Sequence, residues 1–557
     1  MQGFDTRAAA RRAPQPAVLP LLPALVVAAG AGLLLDTAFP DKGWWFTAFP
    51  AIGLALLAMQ GRRVGAAILV GLVFGATFYW PHIEWASEFL GLVPWSALAA
   101  VMTLWNGAAA ALIALAYRWV PRVWDGLAGR LLLLPVVVAG IWTAREAAAS
   151  VWPYGGFSWG RVAFSQSDSP LSPLFAWLGV SGVSFAMVFL VAFAVAAVHE
   201  GLRHPGRGAA LGALVTLAAL VLVAVPPWTS LPGTAPASAP TLRVGAVQGD
   251  TKAGYFDPPD DFGDNLLGQV AATEPLYDED VDVVVWPEGA SDADPLRYGW
   301  ARELWDEVSE RADAPLVGGT ITTRQLDKVD ENGDPMPEYF NTVLLWEAGS
   351  GPTDTRVLDY YDKKHPVPFG EYVPDRAFWR QFAPDLIDLI QREYTPGTTD
   401  AVFELPGSGA IVGNAICFDI VDDQLLTEMV EQGAQIVFAE TNNADFGRTD
   451  ESVQQLAMAR IRAIETARTV VNVSTVGTSA IVLPDGTIEI QLPWYEPGVM
   501  VADVPLLTTV TPAVVAGRQI EWLVSILGLG GVLIAGFAGT RKRAPAERTP
   551  FVRSSEA

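Results

Sequence analysis

The only cysteine among 557 residues, Cys417, stands in Gly413-Asn414-Ala415-Ile416-Cys417-Phe418-Asp419, behind the apolar run Ala410-Ile411-Val412. One cysteine cannot close an internal disulfide, so a structural staple is excluded. An inert buried thiol and a nucleophile both remain open on this segment alone. A strand that gives way to the acidic helix start Asp422-Asp423-Gln424 would set the thiol at a helix N-terminus, where its thiolate is favoured. Two further polar positions stand out in the same block. Glu288 follows Val283-Val284-Val285-Trp286-Pro287, so a buried strand delivers a carboxylate to its C-terminal edge, where α/β sheets place their sites. Lys363 and Lys364 lie in Tyr360-Tyr361-Asp362-Lys363-Lys364-His365-Pro366-Val367-Pro368-Phe369-Gly370-Glu371-Tyr372-Val373-Pro374, a segment stiffened by three prolines. Each has a plainer reading: Glu288 as a helix cap, the lysines as solvated surface, His365 as a structural ring.

The elements around these residues come in two kinds. Hydrophobic residues make up 51% of the chain and charged ones only 17%, against about 25% in an ordinary soluble chain. The shortfall is local: apolar blocks fill the first 230 residues and return near the end. Residues 1–16 read as a basic, disordered tail. Apolar stretches at 17–35, 44–60, 65–82, 92–117, 131–150, 173–198 and 208–228 follow, with one more at 519–539. Each approaches the roughly 20 residues that span a bilayer. The first, with small residues at Ala28-Ala29-Gly30, also fits a cleaved signal peptide, but the stretches behind it favour an uncleaved helix. The connections alternate in charge. Gln60–Arg63, Arg118–Arg130, His199–Arg207 and Arg541–Arg543 are basic, whereas the intervening loops hold Asp36 and Asp41, or Glu84 and Glu88. Positive charge stays inside, so both termini are expected in the cytoplasm and the polar block outside. A seven-helix membrane domain (17–228), a Pro-rich linker (229–240), a soluble α/β domain (241–507), a last membrane helix (517–540) and a cytoplasmic tail (541–557) are expected. The outer loop Trp152–Arg161 is aromatic and Gly-rich, either an interfacial belt or a surface that faces substrate. Within the polar block, strand-like runs at 242–247, 281–286, 316–319, 342–346, 411–418 and 435–439 alternate with helical patterns such as 297–311 and 453–469, which indicates a helix-covered sheet. The net charge of −24, with its acids clustered between Asp250 and Asp450, argues against nucleic acid as a partner.

Glu288, the Lys363 segment and Cys417, in this order and at these intervals, resemble the nitrilase, or carbon–nitrogen hydrolase, superfamily. The flanks are similar to the apolipoprotein N-acyltransferase family in particular: Lys363-Lys364-His365-Pro366-Val367-Pro368-Phe369-Gly370-Glu371, Thr441-Asn442-Asn443-Ala444-Asp445-Phe446-Gly447-Arg448, and the run from Gln455 to Glu465. Seven helices before such a domain and one after it match that family too, so the resemblance covers nearly the whole chain. It implies an α-β-β-α sandwich outside a bundle of about eight transmembrane helices. It also implies Glu288 as general base, Lys363 rather than Lys364 as the catalytic lysine, Cys417 as nucleophile and Glu371 as a supporting glutamate. With these roles a carboxylate takes the thiol proton, and Lys363 together with the Phe418 N–H holds the oxyanion. Substrate contacts are expected from Phe418, Asp419, Asn443 and Phe446, and from Tyr255 and Phe256 behind Gln248-Gly249, where the family often has an aromatic lid residue. The sequence departs from the family at Asp419, usually Glu, at Asp445, usually Trp, and at His365-Pro366-Val367-Pro368.

The resemblance implies a ping-pong transfer in a bacterial inner membrane. An acyl chain passes from a membrane phospholipid to Cys417 as a thioester, then to the α-amino group of a diacylglyceryl-modified cysteine at a lipoprotein N-terminus. No cofactor and no metal is expected, since four scattered histidines and one cysteine make no zinc site. A monomer is expected. Two alternatives stay open: a membrane-tethered amidase that uses water as second nucleophile, and a non-catalytic lipoprotein-binding protein on a decayed nitrilase fold.

Overall fold

Alternation along single strands decides how the polar block folds. The computed structural model describes residues 17–228, 238–251, 260–329, 335–349 and 356–541. Helices α1 (Leu21–Asp36), α2 (Ala48–Met59), α3 (Val64–His82), α4 (Leu92–Val123), α5 (Leu134–Ala149), α6 (Phe175–Arg203) and α7 (Pro205–Trp228) come first. Among the described residues, five segments are long and apolar enough to cross a membrane: Val64–His82, Leu92–Val123, Gly129–Ala149, Ser172–Arg203 and Pro512–Ala538. Leu21–Asp36 and Trp45–Met59 are apolar but shorter than the sequence suggests, whereas α7 begins three residues ahead of the expected 208. One cause is local: α2 starts only at Ala48, because Trp45–Thr47 is a tight 3₁₀ turn.

Small residues let the membrane helices approach closely, the usual device where lipid offers no hydrophobic driving force. A Cβ on Gly71 of α3 would lie 2.5 Å from the Ala110 side chain and 2.6 Å from the Asn106 carbonyl of α4. The final helix, introduced below, packs on α5 in the same way, where a Cβ on Gly140 would meet the Val524 carbonyl at 2.4 Å.

The polar block holds, among the described residues, two six-stranded sheets. The first contains β1 (Thr241–Gln248), β2 (Val283–Val285), β3 (Leu316–Val329), β4 (Pro335–Trp346) and β5 (Val357–Asp362). The second contains β6 (Val402–Glu404), β7 (Ile411–Ile416), β8 (Ile436–Thr441), β9 (Thr469–Ser474), β10 (Ala480–Val482) and β11 (Ile488–Gln491). The last strand, β12 (Gly498–Pro505), returns to pair antiparallel with β1 and closes the first sheet, in the order β12-β1-β2-β3-β4-β5. The second runs β11-β10-β9-β8-β7-β6, with β7, β8 and β9 parallel. Helices α8 (Asp264–Thr273) and α9 (Gly299–Ala312) lie with the first sheet, and α10 (Asp423–Glu431) and α11 (Glu451–Thr466) with the second. In β2, Val283 and Val285 join the core between the sheets, whereas Val284 and Trp286 pack with Trp305 of α9. That period of two makes each sheet two-faced and yields an α-β-β-α sandwich. The chain's last described helix is α12 (Pro512–Arg541), which begins ahead of the expected 517 with a proline, a residue suited to a first helical turn.

Candidate active site

Glu288, Lys363 and Cys417 follow the C-terminal ends of β2, β5 and β7, so the sandwich brings three distant segments to one edge. The Glu288 carboxylate accepts from Asn341 Nδ2 at 2.7 Å and from the Asn442 backbone N–H at 2.9 Å. Lys363 is 1% exposed, and its ammonium pairs with Glu371 at 2.9 Å. Its backbone is pinned as well, since its N–H donates to the Asn341 carbonyl at 2.9 Å and its own carbonyl accepts from Gly397 at 2.9 Å. Glu371 in turn accepts from Asn341 Nδ2 at 2.9 Å and from the Val367 N–H at 2.6 Å. One amide group of Asn341 therefore ties the two glutamates together. Lys364 turns the other way, 3.8 Å from Glu428, and His365 pairs with Asp422 at 3.1 Å.

Cys417 is half-buried and holds φ at +53°, a left-handed conformation that costs a residue with a side chain energy and persists only where its surroundings enforce it. It opens a five-residue 3₁₀ turn, Cys417–Val421, and α10 begins only beyond it, capped by Asp422, whose side chain accepts from Gln424 N at 2.8 Å and Leu425 N at 3.1 Å. The thiol thus lacks the helix N-terminus that the sequence suggested. Nor is its thiolate favoured at rest: burial and the nearby Glu288 charge push the thiol well up, against the pull of Lys363. Burial also raises Glu288, although Lys363 and hydrogen bonds from Asn341 and Cys417 oppose it. Thiol and carboxyl are thus both raised, with a hydrogen bond between them. Burial alone would lower Lys363, but Glu371, Cys417 and Glu288 outweigh it and hold the ammonium charged.

Of the expected contact residues, Asp419 is buried beneath the turn and accepts from Tyr361 OH at 3.0 Å and the Ile416 N–H at 3.1 Å. Burial pushes its carboxyl up to about 7. Asn443 donates to Glu451 at 2.6 Å and to Gln455 at 2.9 Å, and accepts from Ser474 at 2.6 Å. Phe418 lies parallel to Phe157 and Trp159, with ring centroids 6.0 and 5.9 Å apart. Phe446 meets Trp85 edge-on at 5.2 Å. Tyr255 and Phe256 lie outside the described residues.

Several neighbours are not among the expected site residues, although the sequence singles out the outer loop Trp152–Arg161 and the run from Gln455. Phe157 and Trp159 of the outer loop reach the residue next to the thiol, while Trp152 of the same loop stays 65% exposed. The loop thus divides into an exposed part and a site-facing part. Gln455 Nε2 lies 4.0 Å from Cys417 Sγ. Burial pushes Glu451 up to about 8, with the Asn443 hydrogen bond opposing. Asn341 had a signal, an amide at the mouth of the apolar run Thr342–Trp346 that is buried in a sheet.

Two family models match the chain. One, described as the apolipoprotein N-acyltransferase N-terminal domain, matches residues 31–193, and one described as carbon-nitrogen hydrolase matches residues 243–511. The chain is 34% identical over 539 residues to an apolipoprotein N-acyltransferase of Mycolicibacterium smegmatis, across 92% of this chain and 85% of that one. It is 26% identical over 555 residues to that of Shewanella oneidensis, across 97% and 99% of the two chains. Among solved structures, an amidase from Nesterenkonia sp. aligns at 18% identity and a TM-score of 0.35, over 49% of this chain and 93% of that one.

Proposed function

Because this chain belongs to the apolipoprotein N-acyltransferase family, we propose that Cys417 carries the acyl chain it transfers, from a membrane phospholipid to the α-amino group of a lipoprotein's diacylglyceryl-cysteine. It is a membrane-associated acyltransferase with a nitrilase-like domain. The observation that carries the proposal is the meeting of Glu288, Lys363 and Cys417 at one sandwich edge, beneath an aromatic loop that comes from the membrane helices.

In the first half-reaction Glu288 takes the thiol proton as sulfur attacks the ester carbonyl, and a C–S bond forms. The Lys363 ammonium and the Phe418 N–H stabilise the oxyanion. Collapse breaks the ester C–O bond, Glu288 returns the proton to the leaving glycerol oxygen, and a lysophospholipid departs. In the second, the lipoprotein amine attacks the thioester. Its pKa is about 8 in water, so the ammonium first loses one proton to solvent, and Glu288 takes the second as the free amine attacks and passes it to the departing Cys417 sulfur. The C–N bond forms, the C–S bond breaks, and the thiol regains its proton. Glu371 supports this cycle by orienting and charging Lys363, with its ion pair at 2.9 Å. Asp419 and Asn443 brace the nucleophile turn and the strand end beside it. Phe418 and Phe446, with the lid residues Tyr255 and Phe256, would meet the acyl chain.

The eight helices cross the bilayer, both termini stay in the cytoplasm, and the sandwich stands on the extracytoplasmic face of the inner membrane as part of a monomer. The alternating loop charges support this topology. The test is mass spectrometry of a model lipoprotein's N-terminal peptide, from a strain depleted of its own N-acyltransferase and supplied with this protein or its Cys417→Ala variant. An amide-linked acyl chain with the wild type alone is expected. Hydrolysis of small amides without acylation would overturn the proposal in favour of an amidase.

A further inference from the structure

The strained turn at Cys417 is gripped from the side of the membrane domain. Its last two carbonyls, Ile420 and Val421, accept from Arg462 Nε and Nη2, each at 2.8 Å. Arg462 is fully buried on α11 and also donates to Asp423 Oδ1 at 2.6 Å and pairs with Glu465. The other oxygen of Asp423 accepts from Arg161 at 2.7 Å, and Arg161 belongs to the loop between α5 and α6. Arg161 is only 3% exposed and donates its remaining Nη2 to Ser181 of α6 at 2.7 Å. Ser181 donates to Glu521 of α12 at 2.5 Å, and that carboxylate lies 3.9 Å from Arg161. Glu465 closes a second link, as it accepts from the Val180 N–H of α6 at 3.2 Å. Both guanidiniums lie near the Phe164 ring, at 5.7 and 5.9 Å from its centroid.

We propose that Arg161 is a positioning residue for the nucleophile: through Asp423 and Arg462 it makes the left-handed turn at Cys417 depend on the docking of the sandwich against α6 and α12. A strained backbone needs constraint on both sides. On the N-terminal side Asp419 holds the Ile416 N–H. On the C-terminal side the hold is Arg462, which Asp423 ties to Arg161 of the membrane loop. The catalytic domain therefore supplies one constraint by itself and shares the other with the membrane domain.

The inference rests on the reading of Cys417 as the nucleophile. Its test uses the purified full chain in micelles of equal phosphatidylethanolamine and phosphatidylglycerol, and follows the acyl-enzyme by intact mass against time and lipid concentration. In Arg161→Met the maximal acylation rate of the folded protein should fall about 10- to 100-fold, as expected for a small misplacement of a reacting atom. The lipid concentration at half-maximal rate should stay within about twofold, the mark of an interaction that serves the transition state rather than binding. Arg161→Lys keeps the charge but not the two-pronged reach to Asp423 and Ser181, so it should recover part of the rate. Folded Arg161→Met that acylates at the wild-type rate would overturn this inference alone. If Arg161→Met does not fold, a wild-type rate in Arg161→Lys does the same. A wild type that never forms a thioester would overturn the reading of Cys417, and this inference with it.

Discussion

Two clusters of buried charge sit close together in this molecule and are balanced differently. Around Cys417, one ammonium, Lys363, faces Glu288, Glu371 and Asp419, with Glu451 and Glu440 close by. In the docking cluster two guanidiniums, Arg161 and Arg462, share Asp423. Burial acts on the acids of both, and the counter-charge decides the outcome. Burial wins at Asp419 and Glu451, pushed up to about 7 and about 8, and also raises Glu465 beside Arg462, whereas the two arginines outweigh it at Asp423 and pull that carboxyl down to about 2. An under-compensated cluster holds protons that chemistry can move. A carboxylate between two guanidiniums, as Asp423 is, holds a fixed charge, and this one joins the sandwich to the loop between α5 and α6.

This contrast can be broken at four points. The largest effect is expected from Glu288→Gln, which removes the proton acceptor and should lower kcat/KM by about 10⁴-fold. In the wild type the acid limb of kcat/KM should lie above the ordinary glutamate value of 4.5, because the raised carboxyl must be ionised to act and activity is lost as pH falls through it. A limb at the ordinary value would show that the site is not short of positive charge. Next, Asp423→Asn takes a partly exposed carboxylate from two buried guanidiniums and should cost about 1.5–3 kcal/mol in denaturant unfolding, the scale of a hydrogen bond to a charged group. Lys363→Met should reduce acyl-enzyme formation by about 10²- to 10³-fold, the scale of losing one oxyanion donor.

The smallest and most discriminating effect concerns Glu451. Its folded pKa of about 8 lies above the ordinary 4.5, so its stabilising contribution is complete below about 4.5 and is lost as pH rises through about 8. Glu451→Gln mimics the protonated acid. It should raise Tm at pH 8 by about 2–4 °C, the shift expected for about 1 kcal/mol, and the gain should vanish in acid. Neutralising an acid would then stabilise one cluster and destabilise the other. Equal signs in thermal melts of Glu451→Gln and Asp423→Asn would remove the distinction.

Much of this was legible in the sequence. Glu288 and Cys417 each belong to the end of a strand-like run, whereas the strand before Lys363, β5, was not legible, and Lys363 was picked out by the resemblance of its proline-rich segment. The apolar helices were legible from local pattern, although the lengths of α1 and α2 depend on the turns between them. What was hidden depends on contacts across hundreds of positions. Nothing local tells that β12 pairs with β1, that Trp159 stacks on Phe418, or that Asn341 bridges Glu288 and Glu371. The left-handed backbone of Cys417 is flanked by a local hold, Asp419 on the Ile416 N–H, and by a distant one, Arg462 on the Ile420 carbonyl, which nothing in its own segment foretells. For that reason the thiol, expected at a helix start where a thiolate is favoured, stands instead on a 3₁₀ turn where burial and the Glu288 charge raise it.

The most direct test of that account is the intact mass of the purified protein after incubation with phospholipid, before any lipoprotein is added. The account predicts one added acyl chain, removed by neutral hydroxylamine, absent from Cys417→Ala and formed far more slowly by Glu288→Gln. An acyl chain that persists in Cys417→Ala, or that resists hydroxylamine, would contradict it.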